Sequence, residues 1–466
     1  MDHGFRRAAW MLCLAAGSAA AQPASPSSPS DTQALRRELD AMRAEYEQRI
    51  RALEQRLQAA EAKAATQPPA SVPTPAPASA VAAAPAAAPS TAGRSLLDIS
   101  MILSGQYTST QLDPSTYRIR GFPLPTDAEA GPGTRGFSLS ETELTLGANI
   151  DPYFRGQATF AVTPENEIEV EEAYVQTTAL GRGLTVKAGR FFSSIGYLNS
   201  QHRHTWDFAD APLAYQAMLG GQFGDDGLQL AWVAPTDRFL ELRAEVGRGR
   251  SFPGSDTSRN GLGAAALSAH VGDDIGDSHS WRAGLSYLQA KATDQELAET
   301  DTAGNAITNT FTGRTKVWIA DAVYRWAPNG NPKVRNFKLQ GEYLQARRDG
   351  DLVVDSEGAA SPGTYAAKQS GWYLQGVYQF MPRWRAGLRT ERLSPGTPDF
   401  GVNAGLVDLG SGTPRRNTLM LEHNPSEFSR VRLQVAQDRA RGNGGSDLQW
   451  WLQYQMSLGA HGAHGF

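Results

Sequence analysis

The chain is short of cysteine, of long apolar runs and of net charge, and each shortage excludes a class of protein. Among its 466 residues there is one cysteine, Cys13, so no internal disulfide can form. No stretch reaches the roughly eighteen consecutive apolar residues of a membrane-spanning helix. The formal net charge of −4 fits neither a nucleic-acid-binding protein nor a polybasic surface protein.

Residues 1–21 have the pattern of a secretory signal. Arg6 and Arg7 precede a short apolar run, Ala8–Ala16, and the small residues Ala19–Ala21 form a cleavage pattern. The apolar run continues past Cys13, which disfavours a lipoprotein anchor at that residue. We therefore expect export, and a mature chain with no cysteine and no thiolate metal site.

Two segments separate this signal from the rest of the chain. In residues 22–63, apolar residues recur at intervals of three and four between Arg and Glu, which predicts a periplasmic α-helical coiled coil of about four heptads. The recurring residues are Leu35, Leu39, Met42, Tyr46, Ile50, Leu53, Leu57 and Ala60. A helix this charged keeps such a stripe only when a partner buries it, so we expect self-association. Residues 64–93 are Ala- and Pro-rich, a composition typical of a disordered linker.

From residue 94 to residue 466 the chain alternates apolar and polar residues with a period of two, which is typical of β-strands. In the last hairpin, for example, Val431 and Leu433 alternate with Arg430 and Arg432. The predicted strand centres are Ser100, Leu144, Ala158, Tyr174, Val186, Leu230, Ala244, Leu267, Leu285, Ala320, Gln340, Gln375, Leu388, Met420, Leu433 and Gln453. This pattern predicts an all-β fold, a transmembrane antiparallel β-barrel of about sixteen strands.

The connections between these strands alternate between short turns and long loops, as they do in outer-membrane barrels. The long loops are predicted at residues 108–135, 196–224, 251–260, 291–314, 349–368 and 394–415. A soluble repeat protein would also have short strands, but the alternation of loop lengths disfavours it. An even number of strands places both chain ends at the rim of the short turns, and the coiled coil in the periplasm.

With the apolar face of each strand turned outward, the opposite face carries many basic residues. The predicted pore-lining and anion-binding residues are Arg243, Arg282, Arg325, Lys338, Arg383, Arg385, Arg389, Arg430 and Arg432. Those on the strands near Leu388 and Leu433 have few acidic residues beside them, which favours a mild preference for anions. The alternative is that the arginines pair with acidic residues of neighbouring strands and brace the wall.

The loop after the strand at Val186 is rich in aromatic side chains. Exposed Trp and Phe are costly, so we expect this loop to fold into the lumen and constrict it. The predicted constriction residues are His202, Arg203, His204, Trp206 and Asp207.

The strand before this loop ends in Ala188-Gly189-Arg190-Phe191-Phe192, and the chain ends in an aromatic residue, Phe466. Together with the export signal, the heptad segment and the Ala/Pro linker, this strand end resembles the porins of the DcaP type and, more distantly, the phosphate-selective porins. The terminal aromatic resembles the signature of outer-membrane barrels. The resemblance implies a homotrimer through which small, often carboxylated, solutes diffuse.

The two histidines of this loop are also candidate metal ligands. His202 and His204 are two residues apart, with Asp207 and Asp210 nearby. A zinc site needs three or four converging ligands, and paired loop histidines more often serve as hydrogen-bonding groups. We therefore expect no metal and no cofactor, and keep a channel or receptor for zinc uptake as an alternative function.

Two further alternatives are weighed against the channel. A hydrolase could use Ser200, His204 and Asp207, but nothing in the sequence indicates that these residues meet. An energised uptake receptor would need a plug domain inside a barrel of about 22 strands, and the chain has no segment for such a plug.

The sequence therefore predicts a bacterial outer-membrane porin without enzymatic activity. It would form a water-filled channel for passive diffusion of small hydrophilic solutes, with a mild preference for anions such as carboxylates. Its expected partners are outer-membrane lipid, further copies of the chain and small anionic or polar solutes, but no nucleic acid.

Overall fold

The computed structural model describes residues 97–459, apart from residues 127, 129, 165–166, 259, 357, 409, 411 and 442–444. The predicted signal, coiled coil and linker, residues 1–93, lie outside the described residues. Among the residues described, no helix combines the length and the apolar character needed to cross a bilayer.

Strands make up most of the described chain. They are β1 Asp98–Thr110, β2 Leu124–Pro125, β3 Gly136–Leu139, β4 Thr142–Asn149, β5 Phe154–Val162, β6 Ile168–Thr177, β7 Leu184–Phe192, β8 Gly224–Val233, β9 Phe239–Gly247, β10 Ala264–Ile275, β11 His279–Thr300, β12 Ala306–Trp326, β13 Asn336–Ser356, β14 Ala359–Met381, β15 Trp384–Ser394, β16 Arg415–Ser426, β17 Ser429–Asp438 and β18 Asp447–Gly459. The described helical elements are α1 Leu213–Leu219 and the 3₁₀ turns Pro114–Thr116, Arg203–Thr205, Pro328–Gly330 and Gly401–Asn403.

These strands form a closed antiparallel barrel. From β4 onward each strand pairs with the next along the chain, and β1 closes the barrel by pairing with β18. β3 and β4 both pair with β1 and act as one interrupted strand, while the two-residue β2 pairs with β11. Within the described residues the wall therefore has sixteen strands. The predicted barrel and its strand number are confirmed, and every predicted strand centre lies inside an observed strand.

Two of the predicted long loops, residues 291–314 and 349–368, are wrong, because the strands continue through them. β11 to β14 are 21 to 23 residues long. The extension of β12 contains Thr308, Thr310 and Thr312, a residue type that favours strands, and inward residues such as Phe311 and Val354 are buried in the extended hairpins. At about 3.3 Å per residue such strands are on the order of 70 Å long. They therefore extend well past an apolar band of about 25 Å.

The outer face of the barrel is apolar. Outward leucines at mid-strand are exposed all around the wall: Leu103, Leu144, Leu228, Leu242, Leu267, Leu285, Leu339, Leu374, Leu388, Leu419, Leu433 and Leu452. An apolar surface of this extent is stable against lipid but not against water.

Aromatic side chains flank this apolar zone at two levels. On the neighbouring strands β13 and β14, Tyr343 pairs with Trp372, and Phe337 pairs with Tyr378. The two pairs are separated by six residues, which is about 20 Å along a strand. Aromatic residues at two levels of the outer face are typical of the two interfaces of a membrane barrel.

The inside of the barrel is packed by two loops. The loop between β1 and β3 contributes Tyr117 and Phe122 to one apolar cluster. The loop between β7 and β8, residues 193–223, contributes Ile195 and the apolar residues of α1 to the same cluster. We call residues 193–223 the inner loop. α1 packs against β13, β14 and β15. This core therefore holds the inner loop inside the barrel, where the loop narrows the lumen.

The outer face generates a prediction. Leu433 is 41% exposed on the outer face of β17, and Gln437 is exposed on the same face near the strand end. We expect Leu433→Arg to destabilise the barrel by about 2–4 kcal/mol in lipid vesicles, and Gln437→Arg by about 0–1 kcal/mol, because the cost of a charge depends on its depth. Urea unfolding followed by tryptophan fluorescence measures both. Equal costs at the two positions would contradict a lipid-facing surface.

Candidate functional site

The inner loop enters the lumen directly after β7, where carboxylates of the wall bind its backbone. Ser194 donates its N–H to Glu245 of β9 at 2.9 Å. Tyr197 and Leu198 donate theirs to Glu342 of β13 at 3.0 and 3.1 Å. Since the loop is buried, its N–H groups need protein partners in place of water. These two carboxylates therefore fix the first part of the loop to the wall.

The helix α1 lies further along the inner loop, and all of its residues are buried. The N–H of Leu213 donates to Glu391 of β15 at 2.5 Å, so a carboxylate lies at the positive end of the helix. The helix ends at Gly220, whose φ of 68° is left-handed, a conformation that favours glycine. The helix is thus held at its N-terminus by the wall of the barrel.

A group of basic side chains points inward from β13, β15, β16 and β17, and we call it the basic wall. It consists of Lys338, Arg385, Arg389, Arg416, Arg430 and Arg432. All but Arg416 are among the predicted pore-lining residues.

Asp207 of the inner loop binds one part of the basic wall. Its carboxylate is 2.5 Å from Lys338 Nζ and also pairs with Arg385. Arg385 in turn lies 3.1 Å from Glu422 of β16. The Asp207 side chain is 4% exposed, so these pairs are formed almost without water.

Asp210 of the inner loop binds a second part. It lies 2.7 Å from Arg389 and 2.8 Å from Arg416, and both arginines also pair with Glu391, at 2.8 and 2.9 Å. Arg416 further donates to the carbonyl oxygen of Ala211 at 2.8 Å. Two carboxylates and two guanidiniums therefore form a buried network that spans loop and wall.

The last two arginines of the basic wall contact the loop near Trp206. Arg432 donates to the Trp206 carbonyl oxygen at 2.7 Å and lies 2.8 Å from Glu422. Arg430 is less closely paired, since its guanidinium is 4.0 Å from Glu422 and donates to Gln455 at 2.7 Å. Among the residues of the basic wall, the guanidinium of Arg430 thus lies farthest from its carboxylate partner.

The expectation that these arginines have few acidic residues beside them is wrong. Glu422 faces the lumen from β16, between the strands that carry the predicted arginines, and the inner loop adds Asp207 and Asp210. Arg383 lies apart from the group, exposed in the turn between β14 and β15, where it donates to the Pro425 carbonyl oxygen at 3.0 Å.

The pairing shifts the titration of the loop carboxyls. Burial alone would raise the pKa of Asp207 and of Asp210, but Lys338 and Arg385 outweigh it at Asp207, as Arg389 and Arg416 do at Asp210, and both pKa values lie below 3.8. Carboxyls with lowered pKa contribute stability above their unfolded pKa and lose it only as the pH falls through the folded value. The contacts of the loop with the basic wall should therefore persist in mildly acidic solution.

The remaining predicted pore-lining residues contact the first part of the inner loop. Arg325 donates to the hydroxyl of Tyr197 at 2.8 Å, and the guanidinium of Arg282 lies 5.5 Å from the centre of the Tyr197 ring. Arg243 bonds Ser194 and lies 2.8 Å from Glu241. The side chains of these three arginines therefore face inward, and each of them contacts a residue of the inner loop.

The two loop histidines lie against β4 and β6. His204 Nδ1 is 2.8 Å from Glu143. His202 Nδ1 is 3.3 Å from Glu143 and 3.2 Å from Glu171, and its Nε2 is 3.0 Å from Glu172. Burial alone would lower the pKa of His202, but hydrogen bonds to these three carboxylates outweigh it and raise the pKa well above 6.5.

A β-bulge brings the two neighbouring glutamates together. The pairing of β5 with β6 passes from Thr159↔Glu172 to Phe160↔Val170, which leaves Glu171 as the extra residue, so Glu171 and Glu172 both face inward. A strict two-residue period assigns them to opposite faces, and for this reason sequence reasoning missed them.

The residues proposed for a hydrolase have other partners. His204 bonds Glu143, and Asp207 is paired with Lys338 and Arg385. Ser200 is exposed. The structure therefore does not arrange Ser200, His204 and Asp207 as nucleophile, base and orienting group.

No protein-family model matches the chain. An uncharacterized protein of Aquifex aeolicus (strain VF5) is 35% identical over 349 residues, with 71% of this chain and 70% of the relative covered.

Several solved barrels are similar in shape. The anion-selective porin from Comamonas acidovorans has a TM-score of 0.46 at 12% identity, covering 78% of this chain and 99% of its own. The outer-membrane channel DcaP of Acinetobacter baumannii has a TM-score of 0.44 at 10% identity, covering 78% and 97%. Since these TM-scores are below 0.5, the fold assignment rests on the strand pairing.

The buried network generates a second prediction. We expect Arg416→Met to destabilise the barrel by about 3–5 kcal/mol, because it leaves Asp210 and Glu391 short of a buried partner. Arg415→Met, one residue away but exposed on the same strand, should change stability by less than about 0.5 kcal/mol. Urea unfolding measures both variants, and proteolysis of the inner loop reports whether it is released. An Arg416→Met barrel as stable as the Arg415→Met barrel would show that the network does not hold the loop.

Proposed function

Because the chain belongs to the same family as the uncharacterized Aquifex aeolicus protein, whose name assigns no activity, we propose a function from the geometry. The chain forms an outer-membrane porin, a channel for passive diffusion of small hydrophilic solutes. The observation that carries this proposal is the closed sixteen-stranded barrel with an apolar outer face and a charged inner face. A membrane barrel of this size normally encloses an aqueous channel.

The cellular setting of the proposal comes from the sequence before the barrel. The export signal in residues 1–21 directs the chain out of the cytoplasm, and β1 and β18 bring both barrel ends to one rim, since Ser100 pairs with Gly459. The predicted coiled coil then lies in the periplasm. Its stripe of leucines supports a homotrimer, in which three helices bury that stripe.

The inner loop limits what such a channel passes. It fills part of the lumen with an apolar core and binds the basic wall through Asp207 and Asp210. Only small solutes should fit beside it. Solutes must also be polar, because the inner face carries partly exposed charged side chains such as those of Arg243 and Arg385.

The preference for anions, in this proposal, depends on Arg430. Its side chain is 11% exposed, and its Nε has no hydrogen-bond partner. The other arginines near it are neutralised by carboxylates at salt-bridge distance. A basic group with weak pairing attracts anions in a pore, so the selectivity should be mild and should depend on this position.

Planar-bilayer recording tests the proposal. We expect stepwise conductance, with insertions in groups of three for a trimer. We expect Arg430→Gln to lower the anion-to-cation permeability ratio, measured from the reversal potential across a salt gradient, by about two-fold, since one positive charge is lost near the path. Arg439→Gln, exposed after β17, is the matched control and should leave the ratio unchanged.

The outcomes separate the parts of this proposal. No conductance from folded protein in bilayers would contradict the porin. Conductance with an unchanged reversal potential in Arg430→Gln would leave the porin in place and contradict the anion preference.

A further inference from the structure

We propose that His202, His204 and Glu143 bind a divalent transition-metal cation of the zinc type, which links the inner loop to β4 and β6. One potential ligand atom from each of these residues lies within 4.8 Å of the other two. Imidazole nitrogens and carboxylate oxygens are the donors that zinc accepts. We call these three residues, with Glu141, Glu171 and Glu172, the histidine cluster.

The spacing of the donors fits a small tetrahedral ion. Two ligands about 2.0 Å from zinc are about 3.3 Å apart when they occupy neighbouring corners of a tetrahedron. His202 Nδ1 is 3.3 Å from Glu143 Oε2 and 3.2 Å from Glu171 Oε2. His204 Nδ1 is 2.8 Å from Glu143 Oε1. Two imidazoles and one or two carboxylates can therefore surround one cation with little movement.

The surroundings of the cluster orient these ligands. His202 Nε2, which would not bind the cation, lies 3.0 Å from Glu172, and Glu172 also accepts the N–H of Phe192 at 3.2 Å. A carboxylate that holds the second nitrogen of a ligand histidine is typical of zinc sites. The ring of Phe192 stands edge-on to His202 at 5.4 Å and limits its rotation.

An unpartnered oxygen supports a cation site independently of the spacing. Glu141 has an 8% exposed side chain, and its Oε2 has no hydrogen-bond partner, although its Oε1 accepts the N–H of Arg203 at 3.3 Å. Glu141 Oε2 lies 4.0 Å from His204 Nδ1. A buried carboxylate oxygen left without a donor is costly, and a cation beside His204 would satisfy it.

The cluster is also rich in carboxylates. Glu141, Glu143, Glu171 and Glu172 converge here, and Arg203 and Lys187 are among the basic residues that act on them. A divalent cation would add positive charge at the point where the carboxylates meet, and buried carboxylates need such compensation.

Irregularities in β6 and in the segment that joins β3 to β4 bring the residues of the cluster together. β6 has its bulge at Glu171. On the other side, the pairing with β1 shifts from Gly105↔Leu139 to Ile102↔Glu143, so the segment holding Glu141 contains one residue more than β1 does. Bulges that turn side chains toward one point are common beside functional sites. The inference does not depend on the proposed channel, because it concerns how the loop is held.

Metal content tests the inference. Full-length protein is refolded in the presence of a chelator, dialysed against Zn²⁺ and freed of excess metal, and its zinc is measured by mass spectrometry. His204→Asn keeps an N–H hydrogen-bond donor near the position of Nδ1 but removes the imidazole ligand. We expect this variant to contain about one zinc per chain less than the wild type. We expect Glu172→Gln to weaken zinc affinity about 10- to 100-fold. His423→Asn is the control, since His423 stacks on Trp384 at 4.4 Å, away from the cluster.

A second measurement, made on the wild-type protein, tests for the bound ion even if a variant fails to fold. Anomalous diffraction at the zinc edge should place an ion between His202 and His204. No ion at that position, or equal zinc content in wild type and a folded His204→Asn variant, would overturn the inference. The cluster would then be held by a proton shared among His202 and its carboxylates.

Discussion

The ion pairs between the inner loop and the basic wall are the interaction on which the interior depends. Asp207 and Asp210 carry the only charges by which residues 206–211 can balance the guanidiniums beside them, as far as the described residues show. Several buried arginines without these carboxylates would repel one another in a medium of low dielectric. Glu391 and Glu422 of the wall compensate part of this charge, and the carboxylates of the loop complete the compensation.

Opposite charges fix the two ends of the segment 202–210 to different parts of the barrel. Its histidines contact acidic residues of β4 and β6, and its aspartates contact the basic wall on β13 and β15 to β17. In the order of strands, β18 and β1 lie between β17 of the basic wall and β4. The loop thus crosses the region between an acidic and a basic part of the wall, and the charges of these two parts produce an electric field across this region.

Much of the barrel was predictable because one physical rule, the two-residue period, repeats along every strand. Leu433 and Arg432 lie on the faces that this rule assigns. The rule fails where the backbone is irregular or where apolar residues face inward. The bulge at Glu171 breaks the period. The ends of the long hairpins bury inward apolar residues such as Phe311 and Val354, so they lack the alternation of apolar outward and polar inward residues and resemble loops in the sequence.

The partners of the predicted site residues were harder to predict than their faces. That Arg389 faces the lumen follows from its strand, but its pairing with Asp210 joins residues 179 positions apart, and no local pattern reports such a contact. Glu422 and Arg416 could have been found from the same period, since they lie on the inward face of β16. Their role in compensating the predicted arginines depends on strand order, which fixes which side chains are neighbours.

The most direct test of this account is whether the inner loop stays on the wall while the channel conducts. Cys13 is the only cysteine and lies in the predicted signal, so two introduced cysteines can be linked selectively. The backbone N–H of Ala209 donates to Gln434 Oε1 at 2.8 Å, so cysteines at these two positions lie within reach of a short, cleavable bifunctional thiol reagent. The account predicts efficient linkage and an unchanged single-channel conductance. Failure to link in the folded barrel, or a conductance that falls on linking and returns on cleavage, would contradict it.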